Sequence, residues 1–365
     1  MAIKPGMGRK SNNKNPPILS HEFVIQNHAD IISCVAMVFV VGLMDDSTAP
    51  FSNAFISLSH NVTGEDPSRE QPLGKPFSYV AGIKDYCAIF FYTLTCIIMH
   101  AIIQEFVLDK MSKKLHLSKF KLSLFNESGQ LIVFYLVSFL WGADVIVREG
   151  FLSKFSLLWE GFPDHSMSFL HKFFFITQMS YYLHMLPELY FQKVKKEDQQ
   201  PKIIHAIWGF SVICLAYSFG FQRIATVLIT LHYLSEIIAH IFQLISVFDR
   251  EEKLASVRIV NSVTFVVVRF ATMVIGVLTL YYGIASTDKK LRALLALGGL
   301  IILQGYLIFS FITEQLQAKR EAKHLAKQQA QSKKSKVPKD KVKRKKESDL
   351  PEADQSPSPV KLKVK

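Results

Sequence analysis

Two carboxylates and several imidazoles stand inside long apolar runs of this chain, at helical spacing. His184 and Glu188 are four residues apart, with Pro187 beside the glutamate. His232, Glu236 and His240 repeat the interval, and Arg269 closes the run Val263–Val268. Residues four apart share a helix face, and three at that interval drift by only about 80°. Two such helices could converge on one polar cluster. Histidine with carboxylate can move protons or hold zinc or iron. Histidine metal boxes are denser than this, since His232 and His240 are eight apart. No metal, cofactor or catalytic residue is therefore assigned. The cluster of His184, Glu188, His232, Glu236, His240 and Arg269 is expected to line a cavity or to pair internally, with Glu188 or Glu236 against Arg269. Pro187 lacks an N–H, so it should kink its helix and free a carbonyl. The sequence holds no glycine-rich phosphate loop and no nucleophile elbow.

The elements that carry these groups are apolar enough to cross a membrane. Of the 365 residues 49% are hydrophobic, and the mean hydropathy is +0.21. The apolar residues lie in blocks, which excludes a disordered chain and argues against a soluble enzyme. In lipid every backbone polar group needs an internal partner, so the reading is all-α. About 20 apolar residues cross the hydrocarbon. Eight transmembrane helices are expected, near 24–44, 82–106, 131–147, 168–191, 203–221, 224–247, 259–285 and 291–313. The first is the weakest. Its apolar run, Ile31–Met44, stops at Asp45-Asp46, and too many residues precede it for a cleavable signal, so it reads as a signal anchor. Ionisable groups facing lipid cost roughly 2.5–3.5 kcal/mol each, so those within the spans should face inward. The four cysteines, Cys34, Cys87, Cys96 and Cys214, all lie in apolar runs and read as small buried residues.

Charge sets the expected orientation. The net charge is +13, most of it in the last 52 residues. With the N-terminus in the cytosol, 32 of the 43 lysines and arginines fall on the cytosolic side. An even number of spans with both termini cytosolic accounts for that bias. Asn61-Val62-Thr63 then lies in the long first lumenal loop, where Asn61 can be glycosylated. Asn126-Glu127-Ser128 lies on the cytosolic side and should stay bare.

In the tail, residues 314–331 are helix formers that should extend the last span. From Ser332 the composition is too polar to bury a core. The run Lys341–Lys346 could meet ribosomal RNA or anionic lipid headgroups, or serve only as a solvated segment. Ser356 and Ser358, each before proline, are candidate phosphorylation sites. Lys361 and Lys363, fifth and third from the end, resemble a dilysine retrieval signal of endoplasmic reticulum membrane proteins.

Four stretches carry a resemblance: Pro17–Ile31, Ile103–Phe106 with Leu108-Asp109-Lys110, Phe125–Leu131, and above all Leu183–Lys193 with Lys195–Asp198. Together they resemble the translocating chain-associated membrane protein family. The resemblance runs from the N-terminus through the sixth span. It implies a multi-pass glycoprotein of the endoplasmic reticulum membrane. The chain would comprise a cytosolic segment (1–23), a first helix (24–44), a lumenal loop (45–81), a second helix and loop (82–116), a six-helix TLC domain (117–326) and a basic tail (327–365). The implied partners are the Sec translocon and the signal sequences of nascent polypeptides, with membrane lipids around the bundle, the ribosome within reach of the tail and no DNA. The implied role is assistance to the insertion or translocation of nascent secretory and membrane proteins.

The TLC domain is shared with ceramide synthases, whose active region carries paired histidines on one helix and a His-Asp…Asp pattern on the next. The matching positions here keep His205 alone of the pair. Tyr233 and Glu236 stand where the aspartates would be, beside His232. Both departures weaken an acyl-transfer reading, and the chain is expected not to be an enzyme. The rival readings are a ceramide-synthase-like lipid-modifying enzyme and a sphingolipid- or sterol-binding protein.

Overall fold

The computed structural model describes residue 17 and residues 20–65, 75–248, 252–286 and 288–335. Ser356, Ser358, Lys361 and Lys363 lie outside the described residues.

Helices dominate. A short α1 (His21–Gln26) is capped by Ser20, whose hydroxyl accepts from the Phe23 N–H at 3.2 Å, and leads into α2 (His28–Val41). The connection to the next long helix holds α3 (Ala49–Ile56) and a two-stranded antiparallel hairpin, β1 (Asn61–Glu65) and β2 (Lys75–Tyr79). Then come α4 (Asp85–Ile103), a π-helical turn (Gln104–Leu108) and α5 (Asp109–Leu115) as one continuous rod. The remaining helices are α6 (Lys119–Arg148), α7 (Phe169–Phe191), α8 (Lys196–Ser218), α9 (Gln222–Phe248), α10 (Glu252–Gly276) and α11 (Lys290–Ser335). A second π-helical segment, Val277–Gly283, extends α10.

Among the described residues six helical stretches are long and apolar enough to cross a membrane: Asp85–Leu115, Lys119–Arg148, Lys196–Ser218, Gln222–Phe248, Ser256–Gly283 and Lys290–Glu321. The protein is therefore an all-α, multi-pass membrane protein. The other two expected spans are helical but differ in kind. The apolar helix His28–Val41 has only 14 residues, about 21 Å of rise against about 30 Å of hydrocarbon. At 23 residues α7 is long enough, yet it carries His171, Lys172, Gln178, His184 and Glu188, all buried. The reason is its position. It packs against α4, α8 and α6, so protein rather than lipid surrounds it, and its polar groups meet partners instead of acyl chains.

Other differences from the sequence reading have local causes. Helix α6 starts at Lys119, a dozen residues before the expected third span. Ser118 caps it, and its polar residues Ser128 and Gln130 are buried and bonded to neighbouring helices rather than breaking the turn. The first loop forms a hairpin because β2 also docks on the bundle, with Tyr79 exchanging backbone hydrogen bonds with Met167 at 2.8 Å in both directions. The last helix runs on past the apolar stretch to Ser335.

Aromatic side chains fill the core. Phe174, Phe175, Ile176 and Met179 of α7 pack with Tyr135 of α6, Tyr233 of α9 and Ala88 of α4. Helices α6 and α9 approach so closely that a Cβ on Gly142 would collide with the Thr230 hydroxyl. Gly220, at φ +86°, turns the chain between α8 and α9 against Pro163, a backbone angle that a side-chain-bearing residue rarely adopts.

The chain divides into two units, residues 1–304 and 305–365. The bundle just described belongs to the first. The described part of the second is helical to Ser335, where Thr313 back-bonds to the Phe309 carbonyl at 2.8 Å and Ser310 meets Glu314 at 3.3 Å.

Candidate functional site

The six polar residues singled out in the sequence fall into three groups. The first joins α9, α10 and α11. Arg269 donates from one terminal nitrogen to His232 Nδ1 at 2.8 Å and from the other to Gln304 Oε1 at 3.3 Å. Its guanidinium also stacks over the Phe265 ring at 5.1 Å. Because His232 Nδ1 accepts, its proton sits on Nε2 and the ring is neutral in this arrangement. Glu236 Oε1 lies 3.5 Å from His232 Nδ1, one helical turn away. Arg269 and Gln304 are fully enclosed, whereas the His232 and Glu236 side chains are 27% and 25% exposed. A buried cation thus backs a partly exposed imidazole and carboxylate. Such a surface can offer both donors and acceptors to a polar group arriving through the membrane.

The second group lies between α4 and α7. Gln192 donates to His100 Nε2 at 2.9 Å and to Glu188 Oε1 at 3.1 Å. His100 Nδ1 faces His184 Nε2 at 3.4 Å, and His184 Nδ1 reaches the Tyr181 carbonyl. A single set of neutral tautomers satisfies the whole chain, each ring donating to the next acceptor. The N-terminal helices close over this region: His28 stacks on Phe191 at 4.4 Å, His21 meets Tyr190 edge-on at 5.1 Å, and Lys193 pairs with Glu22 at 3.4 Å. His184 and Glu188 are buried, unlike the α9 pair.

The third group holds His240. Its Nδ1 is 3.1 Å from Gln243 Oε1, which also accepts from Ser128 at 2.8 Å, and its ring stacks on Tyr135. Arg269 thus joins His232 and Gln304, while Glu188 joins His100 and Gln192. The α7 and α9 faces serve different neighbours. Among the described residues no group of three or more His, Cys, Asp or Glu side chains is placed to hold a metal.

Sequence reasoning missed the most completely buried ion pair. Lys172 Nζ lies 2.8 Å from Asp85 Oδ1 and donates to the carbonyls of Ser59 and Val80, each at 2.7 Å. Asp85 Oδ2 accepts from Tyr217 at 2.7 Å and from the Gly82 N–H at 2.8 Å. All three ammonium protons are used, tying α7 to α4 and to the two chain segments that flank the hairpin. The signal was available: Asp85 and Lys172 have opposite charge and stand within a turn of the same end of two expected spans. His100 lies within the second expected span, and nothing in its own helix indicates its partners on α7.

The remaining sites are simple to place. Asn61 is exposed as the first residue of β1, paired with Tyr79. Asn126 lies inside α6, with its carbonyl oxygen buried. Near the hairpin, in the loop between α6 and α7, burial and the neighbouring Arg223 charge push His165 down to about 4.

The chain matches the family model described as a TLC domain over residues 124–313, from within α6 into α11. It is 36% identical over 329 residues to translocating chain-associated membrane protein 2 of Mus musculus, covering 86% of each chain. Its likeness to the Homo sapiens protein of that name is 38% over 285 residues, covering 78% of this chain and 75% of the relative. Ceramide synthase 4 of Mus musculus is 30% identical over 112 residues, covering 31% and 28%. Shared sequence over most of the length shows that the chain belongs to the translocating chain-associated membrane protein family.

Proposed function

We propose that this protein is an accessory component of protein translocation at the endoplasmic reticulum membrane, assisting nascent secretory and membrane proteins as they leave the Sec translocon. The likeness over 86% of both chains to a relative named for its association with translocating chains carries this reading. The bundle crosses the membrane eight times, α2 and α7 joining the six long apolar helices, with both termini in the cytosol and the hairpin in the lumen. Lysine and arginine bias supports that orientation. Asn61 then carries a glycan. The tail beyond Ser335 presents its basic run and retrieval lysines to the cytosol, within reach of the ribosome.

The protein acts by lowering the cost of transferring polar residues into lipid, not by covalent chemistry. A weakly hydrophobic signal sequence meets a hydrocarbon interior in which its polar groups lack partners. The partly exposed His232 and Glu236, held by Arg269, offer such partners at membrane depth. The short α2 favours a thinner bilayer beside it, which shortens the apolar path. An effect of about 1–3 kcal/mol changes insertion by one to two orders of magnitude. The likeness to ceramide synthase 4 covers 31% of the chain at 30% identity and that to the sphingosine N-acyltransferase lag1 of Schizosaccharomyces pombe 57% at 25%; both fall short of the 36% over 86% shared with the relative named for translocation, which favours shared TLC architecture over acyl transfer.

The direct test is site-specific photocrosslinking from stalled ribosome–nascent chain complexes bearing a signal sequence, in microsomes. A crosslink to this protein from the signal's flanks supports the reading. Crosslinks to the channel alone, with ceramide formed by the purified protein and lost in His232→Ala, would establish the enzyme reading instead.

A further inference from the structure

At the hairpin end of the bundle a cleft of about 290 Å³ opens between α4, α7 and α8. It lies at the seam between α4, outside the TLC-matching segment, and two helices inside that segment, away from the His232 group. Ile83, Tyr86 and Ser218 form its exposed mouth, while Asp85 and Tyr217 sit at its polar end. Cys214 lies one turn deeper along α8, Ile89 one turn deeper along α4, and Met179 two turns beyond Lys172 on α7. The lining therefore grades from polar to apolar over roughly 6–10 Å of helix. Both α4 and α8 are long and apolar enough to cross a membrane, and the mouth lies at their hairpin-end termini, the level at which a lipid headgroup sits.

We propose that this cleft binds one acyl chain of a membrane lipid whose headgroup is uncharged and carries a hydroxyl. Three observations select that occupant. The volume equals roughly ten groups of the size of a water or methylene, at about 30 Å³ each, which suits one chain segment and not a folded peptide. The apolar depth, lined by Ile89, Met179 and Cys214, matches hydrocarbon. The polar end is electrically neutral: the Lys172 ammonium is spent on Asp85, Ser59 and Val80, and both Asp85 oxygens already face donors. Among the lining residues no free cation is left for a phosphate and no free carboxylate for an amine; the exposed Lys84 stands beside Ile83 but does not line the cleft. The Tyr217 O–H donates to Asp85, and its oxygen keeps lone pairs that can accept from a lipid hydroxyl. This inference stands apart from the translocation reading and holds or fails without it.

The test uses the full-length protein in phosphatidylcholine proteoliposomes with a diacylglycerol probe that carries a diazirine on one acyl chain. After irradiation, labelled peptides are mapped by mass spectrometry. Label should concentrate on the segments holding Ile89, Met179 and Cys214. Ile83→Trp, at a mouth position 79% exposed and so tolerant of change, should narrow the entrance and cut that label about tenfold. Cys214→Phe, which fills the depth, should do the same with the melting temperature checked in parallel. Unlabelled diacylglycerol should compete, and phosphatidate with the same chains should compete at least tenfold less well. Label spread evenly over the lipid-facing sides of α10 and α11 and indifferent to Ile83→Trp would overturn the site. Equal or better competition by phosphatidate would overturn the headgroup assignment.

Discussion

The ammonium of Lys172 and the carboxylate of Asp85 meet at 2.8 Å with almost no exposure of either side chain. They fasten the hairpin-bearing connection to the bundle. Removing one partner of such a pair strands the other charge, at a cost of about 3–5 kcal/mol. Lys172→Met should lower the melting temperature in detergent sharply, and the double variant Lys172→Met/Asp85→Asn should recover part of the loss. A double variant as unstable as the single one would show that the lysine's bonds to Ser59 and Val80, not the ion pair, hold the region.

The close approach of α6 and α9 makes Gly142 a sensitive position. A Cβ there meets Thr230, so Gly142→Val should destabilise the bundle by about 1–3 kcal/mol through overpacking. Thr230→Ala in the same chain should relieve much of it, read out as recovery of the melting temperature.

The two sequons should behave differently. Asn61 is exposed on the hairpin, whereas Asn126 lies within a helix with its amide oxygen buried. Glycosidase treatment should shift the wild type and Asn126→Gln, but not Asn61→Gln. A shift that persists in Asn61→Gln would contradict the proposed topology.

His165 gives the hairpin end a pH dependence. Its folded-state value of about 4 lies below the ordinary 6.5 because burial and Arg223 disfavour the charged ring. The unfolded chain therefore binds the extra proton first. This contribution to stability is complete above about 6.5 and is lost as the pH falls from there toward about 4. His165→Gln should flatten the melting-temperature profile in that window without changing its neutral limb.

Much of the architecture was legible in the sequence because lipid imposes a single rule, about 20 apolar residues per crossing. The runs around Val263–Val268 and Leu291–Thr313 could hardly be anything else. Helix α7 was visible too, but why it tolerates Lys172 and Glu188 was not, since enclosure by α4, α6 and α8 is a tertiary fact. The spacing of His184 with Glu188 and of His232 with Glu236 indicates shared helix faces. It could not indicate that His100 and Gln192 would take one pair and Arg269 the other. The hairpin was hidden because its docking depends on Tyr79 meeting Met167, far along the chain. The π-helical turns at Gln104–Leu108 and Val277–Gly283 leave no periodic trace short enough to read.

In the function proposed above, a partly exposed polar pair, His232 and Glu236, eases the entry of weak signal sequences into lipid. The most direct measurement is translocation into proteoliposomes containing the Sec translocon with either this protein, its Arg269→Leu variant or neither, across a series of signals graded in hydrophobicity. The account predicts a dependence on the protein that grows as hydrophobicity falls, by one to two orders of magnitude at the weak end, and that Arg269→Leu loses. Equal dependence across the series, or full activity of a folded Arg269→Leu protein, would contradict it.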